Sequence, residues 1–158
     1  MDRPHHLGEP VRVAPAIPAD ADDWVAMRTA LWPSGGNGEH VAEIADLLVD
    51  PGETINLIAR AADGSALGFA EASLRHDYVN GCKTSPVAFL EGIFVIAEAR
   101  GKGVARALVA GVEAWAREQG CTEFASDAPV NNLASFDMHH ALGFSETQRV
   151  VFFRKVLG

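Results

Sequence analysis

Three groups of residues in this chain could do chemistry together. One is the glycine-interrupted basic run Arg100-Gly101-Lys102-Gly103-Val104-Ala105-Arg106, another is Glu91 inside an apolar run, and the last is Asp127 with Asn132 behind it. The basic run follows Phe89-Leu90-Glu91-Gly92-Ile93-Phe94-Val95-Ile96 and opens a segment of helical periodicity, so it reads as a turn from a strand into a helix start. Such a turn binds anions, because the first helical N–H groups lack intrahelical acceptors and the helix dipole adds partial positive charge there. Glycine lets the backbone approach a phosphate closely and take φ > 0. The run has neither the Gly-Lys-Ser/Thr ending of a Walker loop nor the spacing of a dinucleotide loop. Its plain alternative is a turn that needs glycine, with solvated basic side chains around it.

Glu91 interrupts an apolar strand, where an ionised carboxylate must be paired or must face water. Either it is neutralised by an arginine such as Arg149 or Arg154, or it faces a cleft and binds or deprotonates an amine. Asp127 closes the next strand, Phe124-Ala125-Ser126-Asp127, at the kind of strand end where open sheets place ligands. A turn aspartate before Pro129 is the other reading. Asn132 begins a helix and is placed to cap it or to contact a cofactor.

The elements that position these residues follow from periodicity. Val11 to Ala14 reads as a first strand, and Asp20 to Leu31 as a helix with Trp24, Met27 and Leu31 on one face and Pro33 as its stop. Ser34 to Gly38 reads as a flexible loop, followed by a helix with Val41, Ile44, Ala45 and Leu48 as its apolar stripe. Thr54 to Arg60 and Ala66 to Leu74 flank a turn at Asp63-Gly64 as a hairpin. After the polar connection His76 to Pro86, Ala88 to Ile96 is the central strand. The next helix carries Ala105, Leu108, Val109, Val112 and Ala116 on one stripe and stops at Gly120. A short strand at Glu123 to Ser126, a short helix at Leu133 to Leu142 and a last strand at Gln148 to Val156 complete the order. The fold class expected is α+β, a mixed α/β arrangement with a central, mostly antiparallel sheet flanked by helices. Residues 1–10 are expected to be a disordered start and 11–158 a single domain.

Composition bounds the rest. The 158 residues carry 48% hydrophobic and 22% charged residues and a formal net charge of −8, the profile of an ordinary globular chain. An acidic balance argues against nucleic acid as partner and is compatible with a cationic small molecule. No apolar stretch approaches the length of a membrane span and no signal region opens the chain, so a cytoplasmic protein without membrane association is expected. Cys82 and Cys121 have no metal-ligand or redox spacing, and no metal is expected.

Arg100, Gly103 and Ala105 occupy the fixed positions of the pyrophosphate loop Gln/Arg-x-x-Gly-x-Gly/Ala, which the run resembles; that loop belongs to the GNAT N-acetyltransferase superfamily. Further runs sharpen the likeness: Leu31-Trp32-Pro33, Arg75-His76-Asp77-Tyr78-Val79-Asn80-Gly81, Ser85-Pro86-Val87, Phe89 to Val95, Ala125-Ser126-Asp127 and Ala141-Leu142-Gly143-Phe144. In this order, over nearly the whole folded chain, they resemble the aminoglycoside 6′-N-acetyltransferases of that superfamily. The resemblance implies a GNAT-like fold, acetyl-CoA as co-substrate, a polycationic aminoglycoside as acceptor, a role in antibiotic resistance and a homodimer.

It also implies residue roles. Trp32, Tyr78, Glu91, Asp127 and Gln148 line the aminoglycoside site, and Glu91 and Asp127 are the candidate proton acceptors. Ile93, Phe94 and Val95 flank the pantetheine arm, Gly101, Lys102, Gly103, Val104, Ala105 and Arg106 hold the pyrophosphate, and Asn132 contacts the cofactor near its thioester. His139 stands where many relatives carry a tyrosine that protonates the departing thiolate, although a structural helix histidine is the other reading. Two positions depart from the pattern: Gly35 replaces a frequent histidine and Gln148 a glutamate, which bears on the breadth of acceptors. The rival functions are acetylation of another primary amine, such as a polyamine or a peptide N-terminus, and a non-catalytic acyl-CoA-binding module.

Overall fold

In a computed structural model, which describes residues 10–158, five strands form one sheet in the order β1-β2-β3-β4-β5. The expectation of a disordered start falls largely on residues 1–9, outside the described part. The strands are β1 (Arg12–Pro15), β2 (Thr54–Arg60), β3 (Ala66–Arg75), β4 (Val87–Val95) and β5 (Phe124–Ser126); the helices are α1 (Ala21–Leu31), α2 (Asn37–Val49), α3 (Val104–Glu118) and α4 (Leu133–Ala141). β1 to β4 pair antiparallel, and β5 joins β4 in parallel. The expected mixed, mostly antiparallel sheet with flanking helices is what forms.

The two faces of the sheet bury different residues because side chains alternate along each strand. Leu57, Ala70, Ala72 and Leu90 meet Val104, Leu108 and Val112 of α3 on one face. Ile58 and Phe69 meet Trp24, Met27 and Ile44, from α1 and α2, on the other. The stripe expected on α3 is the one observed. That on α2 is rotated: His40 and Ile44 are buried and Leu47 and Leu48 half-buried, whereas Val41 and Ala45 are exposed. A buried histidine on that face was invisible to a count of apolar residues. The segment expected as a loop up to Gly38 is a short 3-10 turn, Pro33–Gly35, with α2 starting at Asn37.

One expected element is absent. No strand forms over Gln148 to Val156; every position from Ser145 onward is exposed, and Phe152 and Phe153 are 88% and 92% exposed. The sequence has strand character, but a strand needs a partner edge. Thr147 sits against Gly81, whose missing Cβ would lie 2.2 Å from the threonine Oγ1, and Arg149 lies over the Phe136 ring of α4 at 6.0 Å, but no residue beyond Thr147 is buried.

Candidate active site

The site is built on a bulge in β4. Glu71 pairs with Gly92 and Ala72 with Leu90, so Glu91 has no register partner on β3. Bulges of this kind re-aim a side chain: here Glu91 and Gly92 both face the α1 side. Gly92 is bare backbone beneath Trp32, whose ring would meet a Cβ there at 2.4 Å. Trp32 also packs edge-on against Phe69, with centroids 6.1 Å apart.

Beyond the area covered by α1, the same face of the sheet turns polar. Thr54 and Asn56 of β2, Glu71 and Ser73 of β3 and Glu91 of β4 line a cleft of about 330 Å³ together with Arg28 and Trp32. Arg75 extends the polar row, its guanidinium 3.5 Å from the centroid of the Phe89 ring. Glu91 is not paired with Arg149 or Arg154; it accepts hydrogen bonds from Ser73 Oγ at 2.6 Å and from Arg75 Nη2 at 3.0 and 3.1 Å.

A second carboxylate, Glu71, lies buried in the cleft wall and is fully engaged. Its Oε2 accepts from Arg28 Nε at 2.6 Å and Trp24 Nε1 at 3.0 Å, and its Oε1 from Arg28 Nη2 at 2.7 Å. Burial alone would lower the pKa of Arg28, but the hydrogen bond and charge of Glu71, followed by those of Glu43, leave it raised. His40 donates from Nε2 to the Trp32 carbonyl at 2.9 Å, so the network under the cleft also fixes the tryptophan.

Where β4 passes Leu90 it parts from β5, since the last parallel pair is Leu90 with Ser126. From Glu91 to Val95 this side of β4, including Ile93, Phe94 and Val95, has no strand partner. The parted edge leads to the basic loop. Gly101 and Gly103 hold φ of +76° and +83°, values open to glycine and disfavoured for other residues. α3 begins at Val104 without a side-chain cap, which leaves the first-turn amides of Val104, Ala105 and Arg106 for an anion. Arg100 and Lys102 are exposed; Arg106 donates instead to the Ala141 carbonyl at 3.1 Å, tying α3 to the end of α4.

The remaining sequence candidates are dispersed. Asp127 follows the last residue of β5 and is exposed, Asn132 caps α4 by accepting from Ser135 N at 3.1 Å, and Tyr78 is 74% exposed on the loop before β4. Gln148 follows the Thr147 contact on that loop. Trp32 and Glu91 share the cleft, whereas Tyr78, Asp127 and Gln148 stand outside its lining. Reading for apolar runs missed Ser73, Arg75, Glu71 and Arg28. The signal for the β3 residues was present, as polar side chains at alternate positions of one strand.

Residues 21–144 match the model of the acetyltransferase (GNAT) family. The chain is a GNAT acetyltransferase. This GNAT chain is 55% identical over 137 residues to an aminoglycoside N(6′)-acetyltransferase type 1 of Serratia marcescens, covering 87% of the chain and 93% of that protein. It is 46% identical to one from Acinetobacter baumannii, over 94% of the chain and all of the relative. Among solved structures, AAC(6′)-Iy in complex with the bisubstrate analogue CoA-S-monomethyl-acetylneamine superposes with a TM-score of 0.88 at 44% identity, over 94% of this GNAT chain and 100% of that one. Among the described residues no helix is long and apolar enough to cross a membrane.

Proposed function

We propose that this enzyme transfers the acetyl group of acetyl-CoA to the 6′-amine of aminoglycoside antibiotics by direct attack in a ternary complex, and thereby confers resistance to them. The observation that carries the reading is the continuity of one strand edge: β4 runs from a polar, carboxylate-bearing cleft at Glu91 to an uncapped helix start at Gly101 to Arg106. The names of the relatives support the same acceptor and donor.

The pyrophosphate lies on the first-turn amides of α3 with Lys102 beside them, and the pantetheine arm follows Ile93, Phe94 and Val95, with Asn132 near the thioester. The thioester then reaches the point where β4 and β5 part. Trp32 and Tyr78 offer flat faces to sugar rings, and Glu91, Asp127 and Gln148 take the polar and cationic groups. An ammonium has no lone pair, so Glu91 or Asp127, directly or through water, accepts its proton before attack. Backbone N–H groups of the parted edge stabilise the oxyanion, and holding both reactants supplies much of the rate. Gly35 in place of a histidine removes a polar contact and Gln148 in place of a glutamate removes a charge, and both changes bear on the breadth of acceptors. The enzyme works in the cytoplasm, without metal, membrane or nucleic acid. It acts as a homodimer, a reading supported by the spare apolar arm and by the unpaired outer edge of β5.

The test is thiol release from acetyl-CoA with kanamycin or tobramycin, against spermidine and a peptide N-terminus, with mass spectrometry locating the acetyl group. Release with the aminoglycosides at 6′ is expected; release only with polyamine or peptide moves the enzyme to another acceptor, and acetyl-CoA binding without release makes it a binding module. In the same assay Glu91→Gln lowers turnover more than acetyl-CoA affinity, and unchanged turnover removes Glu91 from the chemistry.

A further inference from the structure

Ser126 and His139 form a hydrogen-bonded pair at the point where the sheet opens. The His139 Nδ1 lies 2.6 Å from the Ser135 carbonyl oxygen. A carbonyl only accepts, so Nδ1 carries the ring hydrogen and the neutral ring presents its lone pair at Nε2. Nε2 is 2.8 Å from Ser126 Oγ, so the serine hydroxyl donates to it. The Phe144 ring packs edge-on against the imidazole at 5.2 Å and holds its plane. The arrangement is a hydroxyl, a base and a group that orients the base.

Ser126 is the register partner of Leu90, the residue before Glu91, and is itself the residue before Asp127. Its hydroxyl therefore stands at the junction of the parted strands, on the α3 face that Leu90 and Phe124 share, with the Glu91 cleft on the other side of the opening.

We propose that Ser126, backed by His139, carries the second proton of the reaction from the attacking nitrogen to the departing sulfur. The inference rests on the acetyl-transfer reading above. Once the neutral amine has attacked the thioester carbonyl, its nitrogen is cationic and must lose one proton to become an amide. The thiolate that leaves with the C–S electron pair needs one proton to become a thiol. Ser126 Oγ takes the N–H proton as its own hydrogen passes to His139 Nε2. When the C–S bond breaks, Nε2–H returns its proton to Oγ as the serine O–H protonates sulfur. Serine and histidine end as they began. Ser126 is then a catalytic residue and His139 a positioning and proton-holding one.

The test measures kcat and both KM values with acetyl-CoA and kanamycin for Ser126→Ala, His139→Gln, the double variant and Ser126→Thr, together with thermal unfolding. Each single change is expected to lower kcat about a hundredfold or more with little change in either KM. The double variant should be no slower than the slower single one, because the two act as a unit, and Ser126→Thr should restore much of the rate. A solvent deuterium isotope effect on kcat should shrink in Ser126→Ala. Full kcat in Ser126→Ala, additive losses in the double variant, or an acetylated Ser126 in the mass spectrum would each overturn the relay while leaving acetyl transfer standing. No thiol release from the unaltered protein with any amine would overturn the transfer reading and the relay with it.

Discussion

Trp32 can lie beside Glu91 because residue 92 has no side chain. Gly92→Ala would put a methyl group 2.4 Å from the indole, and such overpacking costs about 1–3 kcal/mol. A lower Tm and a raised aminoglycoside KM, with acetyl-CoA KM unchanged, are expected; an unchanged acceptor KM would free Trp32 from its platform role. The buried pair beneath is more costly to break. Arg28→Met leaves Glu71 charged and without its main partner, which costs about 3–5 kcal/mol. Replacing both by apolar residues should return much of that stability in a denaturant titration. Glu91 was legible in the sequence because a carboxylate interrupting an apolar strand needs an explanation. The pairing of Arg28 with Glu71 was not, because two residues 43 apart have no spacing signature, although Glu71 itself interrupts an apolar strand as Glu91 does. Asn132 as a cap was legible for the opposite reason: it depends on the local chain alone.

Among elements, the loop between β3 and β4 holds Tyr78, and its second half is anchored by the side chain of Glu123. Glu123 accepts from Thr84 Oγ1, Thr84 N and Lys83 N at 2.5, 2.8 and 2.8 Å. The Thr84 hydroxyl and the two amides favour the anion and hold the Glu123 carboxyl below the usual glutamate range. A folded-state pKa depressed below the unfolded one gives stability that is present above the unfolded value and lost as pH falls through the folded value. Protection of the Lys83 and Thr84 amides, relative to intrinsic exchange, should therefore fall in acid as the carboxyl is protonated, and already at neutral pH in Glu123→Gln. That variant should also raise acceptor KM through a loosened Tyr78; protection unchanged in both conditions would remove the anchor. Periodicity found nearly every element, since strand and helix periods are local. It could not find the bulge, which is a matter of register between β3 and β4, and it misplaced the α2 stripe because His40 is buried on account of Arg28 and the Trp32 carbonyl.

At the scale of the molecule, the chain carries one spare strand sequence and a sheet open at both edges, β1 and β5. Sedimentation should show a dimer for the full chain and a monomer for a chain ending at Thr147; a full-length monomer at micromolar concentration would remove the dimer. The expected last strand did not form although its amino acids suit a sheet: residues 148–156 pair with neither open edge and stay exposed. The alternation in β2 and β3 carries a further consequence. Thr54, Asn56, Glu71 and Ser73 face the cleft, while Ile55, Leu57, Ala70 and Ala72, interleaved with them, pack toward α3. Neighbouring positions thus answer to different selective demands. An aminoglycoside of new shape can be met by exchanging Thr54, Asn56 or Ser73, and neither the apolar face nor the phosphate loop has to change for it. Acceptor range can drift in such a sheet while the donor half of the enzyme stays as it is.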